Sequence, residues 1–178
     1  TPEDGSWSGV SLPWMSIGYE NAITPLGMLA VYNAVANDGK YMRPYLVTEI
    51  QSRGETIHKY EPTVKNKKIC SEATLVKLKK MLEGVVLNGT ATNLKNLSFS
   101  IAGKTGTAQI ATRRGYSKDA HKASFAGYFP ANDPKYACIV VINDPRNGRY
   151  YGSLVAGPVF GEIADKIYAH SMDIHPIV

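Results

Sequence analysis

Midway along this chain the spacing of apolar residues changes from helical to extended, and that change restricts the fold more than any single residue does. Before it, Thr24-Pro25 opens a helix with a hydroxyl at the N-cap and proline in the first turn. Leu26, Leu29, Ala30, Asn33 and Ala34 trace one face, and Asn37-Asp38-Gly39 supplies a glycine suited to the left-handed cap. Ser71 caps a second helix whose apolar set is Leu75, Leu78, Met81, Leu82, Val85 and Val86, stopped by Asn88-Gly89. Between the two, Leu46 to Ile50 and Thr56 to Tyr60 flank Ser52-Arg53-Gly54-Glu55 as a hairpin would. From Ser98 onward the signal is strand. Ser98 to Ile101 leads into a strand that reaches about Thr112, followed by a polar loop with Arg113, Arg114, Gly115 and Lys118. Ala123 to Phe129 forms a second strand. Pro130 and Asn132-Asp133-Pro134 turn it into a third, Tyr136 to Asn143, whose nearly continuous apolar run suits the middle of a sheet covered on both faces. Pro158 then starts a last helix striped by Phe160, Ile163, Ala164 and Ile167. This order predicts an α+β fold, an antiparallel sheet with helices packed on it.

At 178 residues the chain fits one domain or a large part of one. With 44% hydrophobic and 20% charged residues its composition is that of an ordinary globular protein. No apolar run approaches the roughly 20 residues that span a bilayer, and no signal-like n-region and h-region opens the chain. It begins Thr1-Pro2-Glu3-Asp4 rather than with methionine, so a longer parent is expected to hold any anchor or export signal. The net charge of +5 gathers in Lys65, Lys67 and Lys68 and in Arg113-Arg114, which read as solvated loops. A basic face interleaved with aromatics is missing, which argues against a nucleic-acid partner; a carboxylate-bearing substrate or an acidic cell-surface polymer suits the charge. Cys70 and Cys138 and the histidines His58, His121, His170 and His175 fall outside ligand-like spacing, so no metal or cofactor is expected. Cys138 reads as a buried small hydrophobe.

The chemistry concentrates in Lys104-Thr105-Gly106-Thr107, followed by Ala108-Gln109. On a strand Lys104 and Gly106 share one face, while Thr105 and Thr107 share the other. A cation and two hydroxyls on so short a stretch make a carboxylate clamp, and Gly106 leaves room where another backbone comes close. Gly103-Lys104-Thr105 also resembles the tail of a phosphate-binding loop. That loop needs glycine where Ser98 stands and a helix after the threonine, and the run Thr107 to Thr112 is β-leaning. The Lys-Thr-Gly element accompanies a Ser-x-x-Lys nucleophile and a Ser-x-Asn partner in serine acyltransferases that bind penicillin. Neither pattern occurs in these 178 residues. Ser117-Lys118-Asp119 and Ser171-Met172-Asp173 come nearest and read as a polar loop and a terminal tail. Tyr19-Glu20-Asn21 imitates a Tyr-x-Asn variant but precedes a helix start, and reads as structural.

Over nearly its whole length the chain resembles the C-terminal half of the transpeptidase domain of class B penicillin-binding proteins, particularly the cell-division type. Thr24-Pro25-Leu26, Ala36-Asn37-Asp38-Gly39, Val85-Val86, Gly89-Thr90-Ala91 and Ala102 to Gln109 carry the resemblance in order. Ser124 to Pro130, Tyr150-Tyr151-Gly152 and Ala156-Gly157-Pro158-Val159-Phe160 complete it. Two positions depart: Glu20 stands where the family usually has the second glycine of Gly-x-Gly, and Gly27 where it has glutamine after Thr-Pro-Leu.

The resemblance implies the C-terminal part of a penicillin-binding, β-lactamase-like fold, with residues 1–178 a partial transpeptidase domain lacking the nucleophile-bearing part. It implies a parent that cross-links peptidoglycan stem peptides through a serine acyl-enzyme and binds β-lactams, with this stretch alone inactive; a non-catalytic sensor on the same fold is the alternative. Lys104 would hold positive potential, Thr105 and Thr107 would bind the terminal carboxylate, and Gly106 would let substrate lie close. The Thr107 N–H would be one of two oxyanion-hole donors. Substrate would add to the strand edge. The parent would sit at the extracytoplasmic, periplasmic face of the cytoplasmic membrane and meet division or elongation proteins through its other parts. An isolated stretch with an uncovered sheet face would self-associate.

Overall fold

A three-stranded antiparallel sheet organises the chain, as the change of periodicity requires. The computed structural model describes residues 7–112, 115–146 and 148–171, together with Glu3 and Gly5. The sheet runs in the order β5 (Ala102–Thr112), β6 (Gly115–Phe129), β7 (Tyr136–Asn143). Helix α1 (Ser11–Ser16) and helix α2 (Pro25–Ala36) precede strand β1 (Tyr41–Met42), which pairs with β4 (Val64–Asn66). The hairpin β2 (Glu49–Ser52) and β3 (Glu55–Lys59) lies between them. Helix α3 (Glu72–Leu87) leads through a short 3-10 turn, Thr92–Leu94, into β5, and α4 (Gly152–His170) closes the fold.

The helix starts follow their caps. The Gly27 N–H donates to Thr24 Oγ1 at 3.1 Å and the Thr74 N–H to Ser71 Oγ at 3.2 Å, each supplying one of the acceptors that an N-terminus lacks. Arg53 and Gly54 take φ +53° and +86°, the left-handed pair that closes a two-residue hairpin.

Each sheet face has its own core. Gly103 in β5, Phe125 and Phe129 in β6, and Cys138, Val140 and Ile142 in β7 turn toward α4, where Phe160, Ala156 and Ala164 are buried. Phe125, Phe129 and Phe160 are fully buried and meet edge to face, Phe125 and Phe160 at 4.7 Å between centroids. Each such ring contributes about 1.5–3 kcal/mol by burial. On the other face Ala102 and Tyr128 pack with Val35 of α2 and Leu75 and Leu82 of α3. Half-buried Cys138 sits on the first of these faces, and burial pushes its thiol pKa up.

Several expectations are corrected. β7 is an edge strand among the described residues and β6 is the central one, so the apolar run of Tyr136 to Asn143 marks two half-covered faces. The expected polar loop from Gly115 to Lys122 is strand, because the β5–β6 ribbon extends past β7, pairing Gln109 with His121 and Ala111 with Tyr116. Ser117 and Asp119 therefore lie on β6, whereas Arg113, Arg114, Met172 and Asp173 are outside the described residues. Pro158 lies inside α4, which begins at Gly152 with Leu154 and Val155 N–H groups bonded to the Tyr151 carbonyl. The buried stripe of α4 is Gly152, Ala156, Gly157, Phe160, Gly161 and Ala164, while Ile163 is exposed. Leu26 and Met81 likewise point outward.

Candidate active-site strand

The faces of β5 fall as the sequence predicts. Thr105 stands opposite Phe125 and Thr107 opposite Ala123, on the face that α4 covers; Lys104 and Gly106 stand opposite Ala126 and Ser124 on the other. The threonine face is tied down at both residues. Thr105 Oγ1 lies 2.8 Å from Thr90 Oγ1, in the segment after α3, and Thr107 Oγ1 accepts from the Gly152 N–H at 3.0 Å. Accepting that bond leaves the single hydroxyl proton of Thr107 available to an anion. The first turn of the 19-residue α4 thereby rests beside Thr107, bringing the positive end of its dipole to the strand.

Lys104 does not stay on its own face. Its Nζ turns back over the strand edge to donate to the Thr105 carbonyl at 2.9 Å and lies 3.3 Å from Thr105 Oγ1. Charge and hydroxyl thus meet at one place. Expected on opposite faces, they converge because a lysine stem is long enough to wrap the edge.

The expected close approach at Gly106 also exists, in a different form. A Cβ on Gly106 would meet only the hydroxyl of Ser124. The backbone that comes close is the first turn of α4: a Cβ on Gly152 would lie 2.5 Å from Gly106 O and 3.2 Å from Gly106 N. It is Gly152, not Gly106, whose missing side chain lets strand and helix touch.

The outer edge of β5, away from β6, carries backbone groups of alternate residues. The Gln109 N–H donates to the Tyr19 hydroxyl at 3.3 Å, while the carbonyl of its register partner His121 is taken by Asp144 N–H at 2.8 Å. Gln109 therefore faces the outer edge, and by the two-residue period so do the N–H and C=O groups of Thr107 and Thr105. The Thr107 pair lies between the Thr105 carbonyl, held by Lys104, and the Gln109 N–H, held by Tyr19.

Sequence reasoning missed several of these residues. Tyr19 has the structural part that its sequence context suggests, packing against Trp14 and Tyr116 with centroids 5.2 and 5.0 Å away, but its hydroxyl also reaches the strand edge. Thr90 and Gly152 lie in stretches that carry the family resemblance, which marked them without showing what they touch. On the ribbon beside Thr107, His121 stacks on Tyr150 at 4.1 Å, and the Tyr151 hydroxyl, 3.5 Å from that of Tyr150, raises the Tyr150 pKa. Among the described residues no cluster of three or more His, Cys, Asp or Glu could hold a metal ion.

Strand β5 thus brings a backbone N–H, an ammonium and two hydroxyls close together, buttressed by the first turn of α4. Residues 2–165 match the penicillin binding protein transpeptidase domain, and the chain belongs to that family. It is 33% identical over 176 residues to the peptidoglycan D,D-transpeptidase FtsI of Escherichia coli K12, covering 98% of this chain and 28% of that protein. The crystal structure of penicillin-binding protein 3 from Mycobacterium tuberculosis superposes with a TM-score of 0.79 at 28% identity, over 92% of this chain and 39% of that one. Its complex with ampicillin gives 0.78 at 27%, over 92% and 38%. The α+β fold expected from the sequence is thus the family's own, and the chain spans well under half the length of these relatives.

Proposed function

We propose that the protein carrying this chain is a serine-type peptidoglycan D,D-transpeptidase, and that this stretch supplies the half of its site that holds and polarises the substrate. The observation that carries the reading is the outward Thr107 N–H and C=O, set between the Lys104 ammonium and the edge-binding Tyr19 on a strand of this family. A stem peptide ending in D-Ala-D-Ala adds to this edge as a strand. Its carboxylate meets the Lys104 ammonium and the hydroxyls of Thr105 and Thr107. Its scissile carbonyl points at the Thr107 N–H, where preorganised donors commonly supply about 3–4 kcal/mol to the developing oxyanion. A β-lactam, whose strained amide and carboxylate mimic that end, occupies the same groups; the ampicillin complex of the M. tuberculosis relative is in keeping with this.

The attacking serine and its base come from another part of the protein, since no Ser-x-x-Lys or Ser-x-Asn occurs in these 178 residues. Division or elongation partners act through that other part, and the protein works at the extracytoplasmic face of the membrane through an anchor outside this stretch. Among the described residues no helix is long and apolar enough to cross a membrane. The test is acylation by a labelled penicillin. A longer protein that includes the upstream serine forms a stable adduct and residues 1–178 alone form none; an adduct on the shorter chain sinks this division of labour.

The isolated stretch should also self-associate, because Ile139 and Val141 share the half-covered face with Lys104 and β7 is a sheet edge. A strictly monomeric elution at high concentration counts against that.

A further inference from the structure

We infer that Tyr19 is a register stop: its hydroxyl, held on the Gln109 N–H, ends the stretch of β5 edge on which a substrate backbone can pair. The inference rests on the transpeptidase reading for its substrate and on the geometry for its mechanism.

The direction of the bound peptide follows from the groups on the strand. The carboxylate end lies at Lys104 and Thr105 and the scissile carbonyl at Thr107, so the peptide runs antiparallel to β5 and its earlier residues continue toward Gln109. In an antiparallel pair the next outward N–H is two residues on. The Gln109 N–H therefore stands where it would donate to the carbonyl two residues before the penultimate D-alanine. That donor is already taken by Tyr19 at 3.3 Å.

The stop is braced from outside the strand. Trp14 of α1 stacks on Tyr116 of β6 at 5.6 Å with an interplanar angle of 18°, and Tyr19 meets both rings edge-on, at 74° and 82°. Trp14 and Tyr116 thus fix the ring, and the ring places the hydroxyl. Glu20 follows at φ +60° and Gly18 precedes at φ +93°, two left-handed residues that turn the chain on either side of Tyr19 so that it meets the strand edge. The consequence is specificity for chain ends. The site reads the backbone of the last few residues and gains nothing from regular pairing further back, so branched or irregularly linked stems are accepted as readily as linear ones.

The test uses the full protein and two matched donors, acetyl-D-Ala-D-Ala and acetyl-Gly-D-Ala-D-Ala, which differ only by one backbone unit bearing the carbonyl that Gln109 would bind. Wild type acylates both with similar kcat/KM. Tyr19→Ala, which clears ring and hydroxyl, raises the extended-to-short ratio about fivefold, the worth of one net hydrogen bond; a merely structural role lowers both alike and leaves the ratio unmoved, which overturns the inference. Amide exchange at Gln109 is the second measurement: Tyr19→Phe speeds it if the bond exists, and unchanged exchange overturns the stop. If the wild type acylates neither donor, the transpeptidase reading fails, and the exchange result still decides separately whether Tyr19 blocks the edge.

Discussion

The Gly152 N–H donates to Thr107 Oγ1 at 3.0 Å, joining the first turn of α4 to the central hydroxyl of the candidate site across 45 residues of sequence. The bond replaces a side-chain cap, which Tyr151 does not supply to this helix. On the proposed function, Thr107 would serve stability and chemistry together. Thr107→Val, which keeps the shape and removes the acceptor, should lower stability by about 1–2 kcal/mol and also slow penicillin acylation of the full protein. Urea unfolding and acylation rates check the two effects. Thr107→Ser should restore both, and failure of the serine to rescue acylation would show that the hydroxyl is not what the reaction uses.

The two glycines that face each other, Gly152 on α4 and Gly106 on β5, should respond differently. At Gly152 a Cβ strikes the backbone of Gly106, which cannot step aside, so Gly152→Ala should cost about 1–3 kcal/mol or more. At Gly106 it meets only the Ser124 hydroxyl, which can rotate to another rotamer. Gly106→Ala should keep most of the stability and lose acylation, since the added methyl stands on the strand proposed to hold the substrate. Thermal melts set beside penicillin labelling separate the two, and equal melting losses would refute the distinction.

What was legible in the sequence is what local physics controls. Thr24 and Ser71 announced their helices because a cap is a local hydrogen bond, and Arg53-Gly54 announced a turn because few residues tolerate its dihedrals. The start of α4 was hidden. Its buried stripe opens with Gly152, Ala156 and Gly157, chosen for closeness to the sheet, and small residues leave no mark in a hydrophobic pattern. The ribbon from Gly115 to Lys122 was hidden for the opposite reason: its pairing is carried by backbone, and its polar side chains read as loop. Lys104 to Thr107 was legible as a motif, but its partners come from 15, 45 and 90 residues away, as Thr90, Gly152 and, at Gln109, Tyr19. No window of sequence contains such a site.

The departure at Glu20 has a structural cost. Its φ of +60° lies in the left-handed region, where a Cβ costs about 1–2 kcal/mol relative to the right-handed form. Glu20→Gly, which restores the glycine usual in the family at this point, should stabilise the chain by about 0.5–1 kcal/mol once the greater freedom of glycine in the unfolded state is set against it. A lower melting temperature for the glycine variant would mean that Glu20 makes a compensating interaction.

Tyr128 gives the fold an alkaline limit. The side chain is fully buried between the sheet and the α2–α3 layer, and among the described residues its hydroxyl has no hydrogen-bond partner. Desolvation first, and the nearby Glu83 carboxylate second, push its pKa up to about 12. The folded state thus keeps the phenol proton after the unfolded chain, which titrates near 10, has lost it. Below pH 10 both states are protonated and the group costs nothing through titration. Above pH 10 stability should fall by about 1.4 kcal/mol per pH unit on this account, until the folded phenol also ionises. Tyr128→Phe removes that dependence together with the unpaired hydroxyl. It should match or slightly exceed wild type at pH 8 and pull ahead by about 1 kcal/mol at pH 11. Urea midpoints of the two proteins measured in parallel from pH 8 to 11 cancel the titrations they share. A gap that stays constant across that range would show that Tyr128 ionises in the folded protein as easily as in the unfolded one.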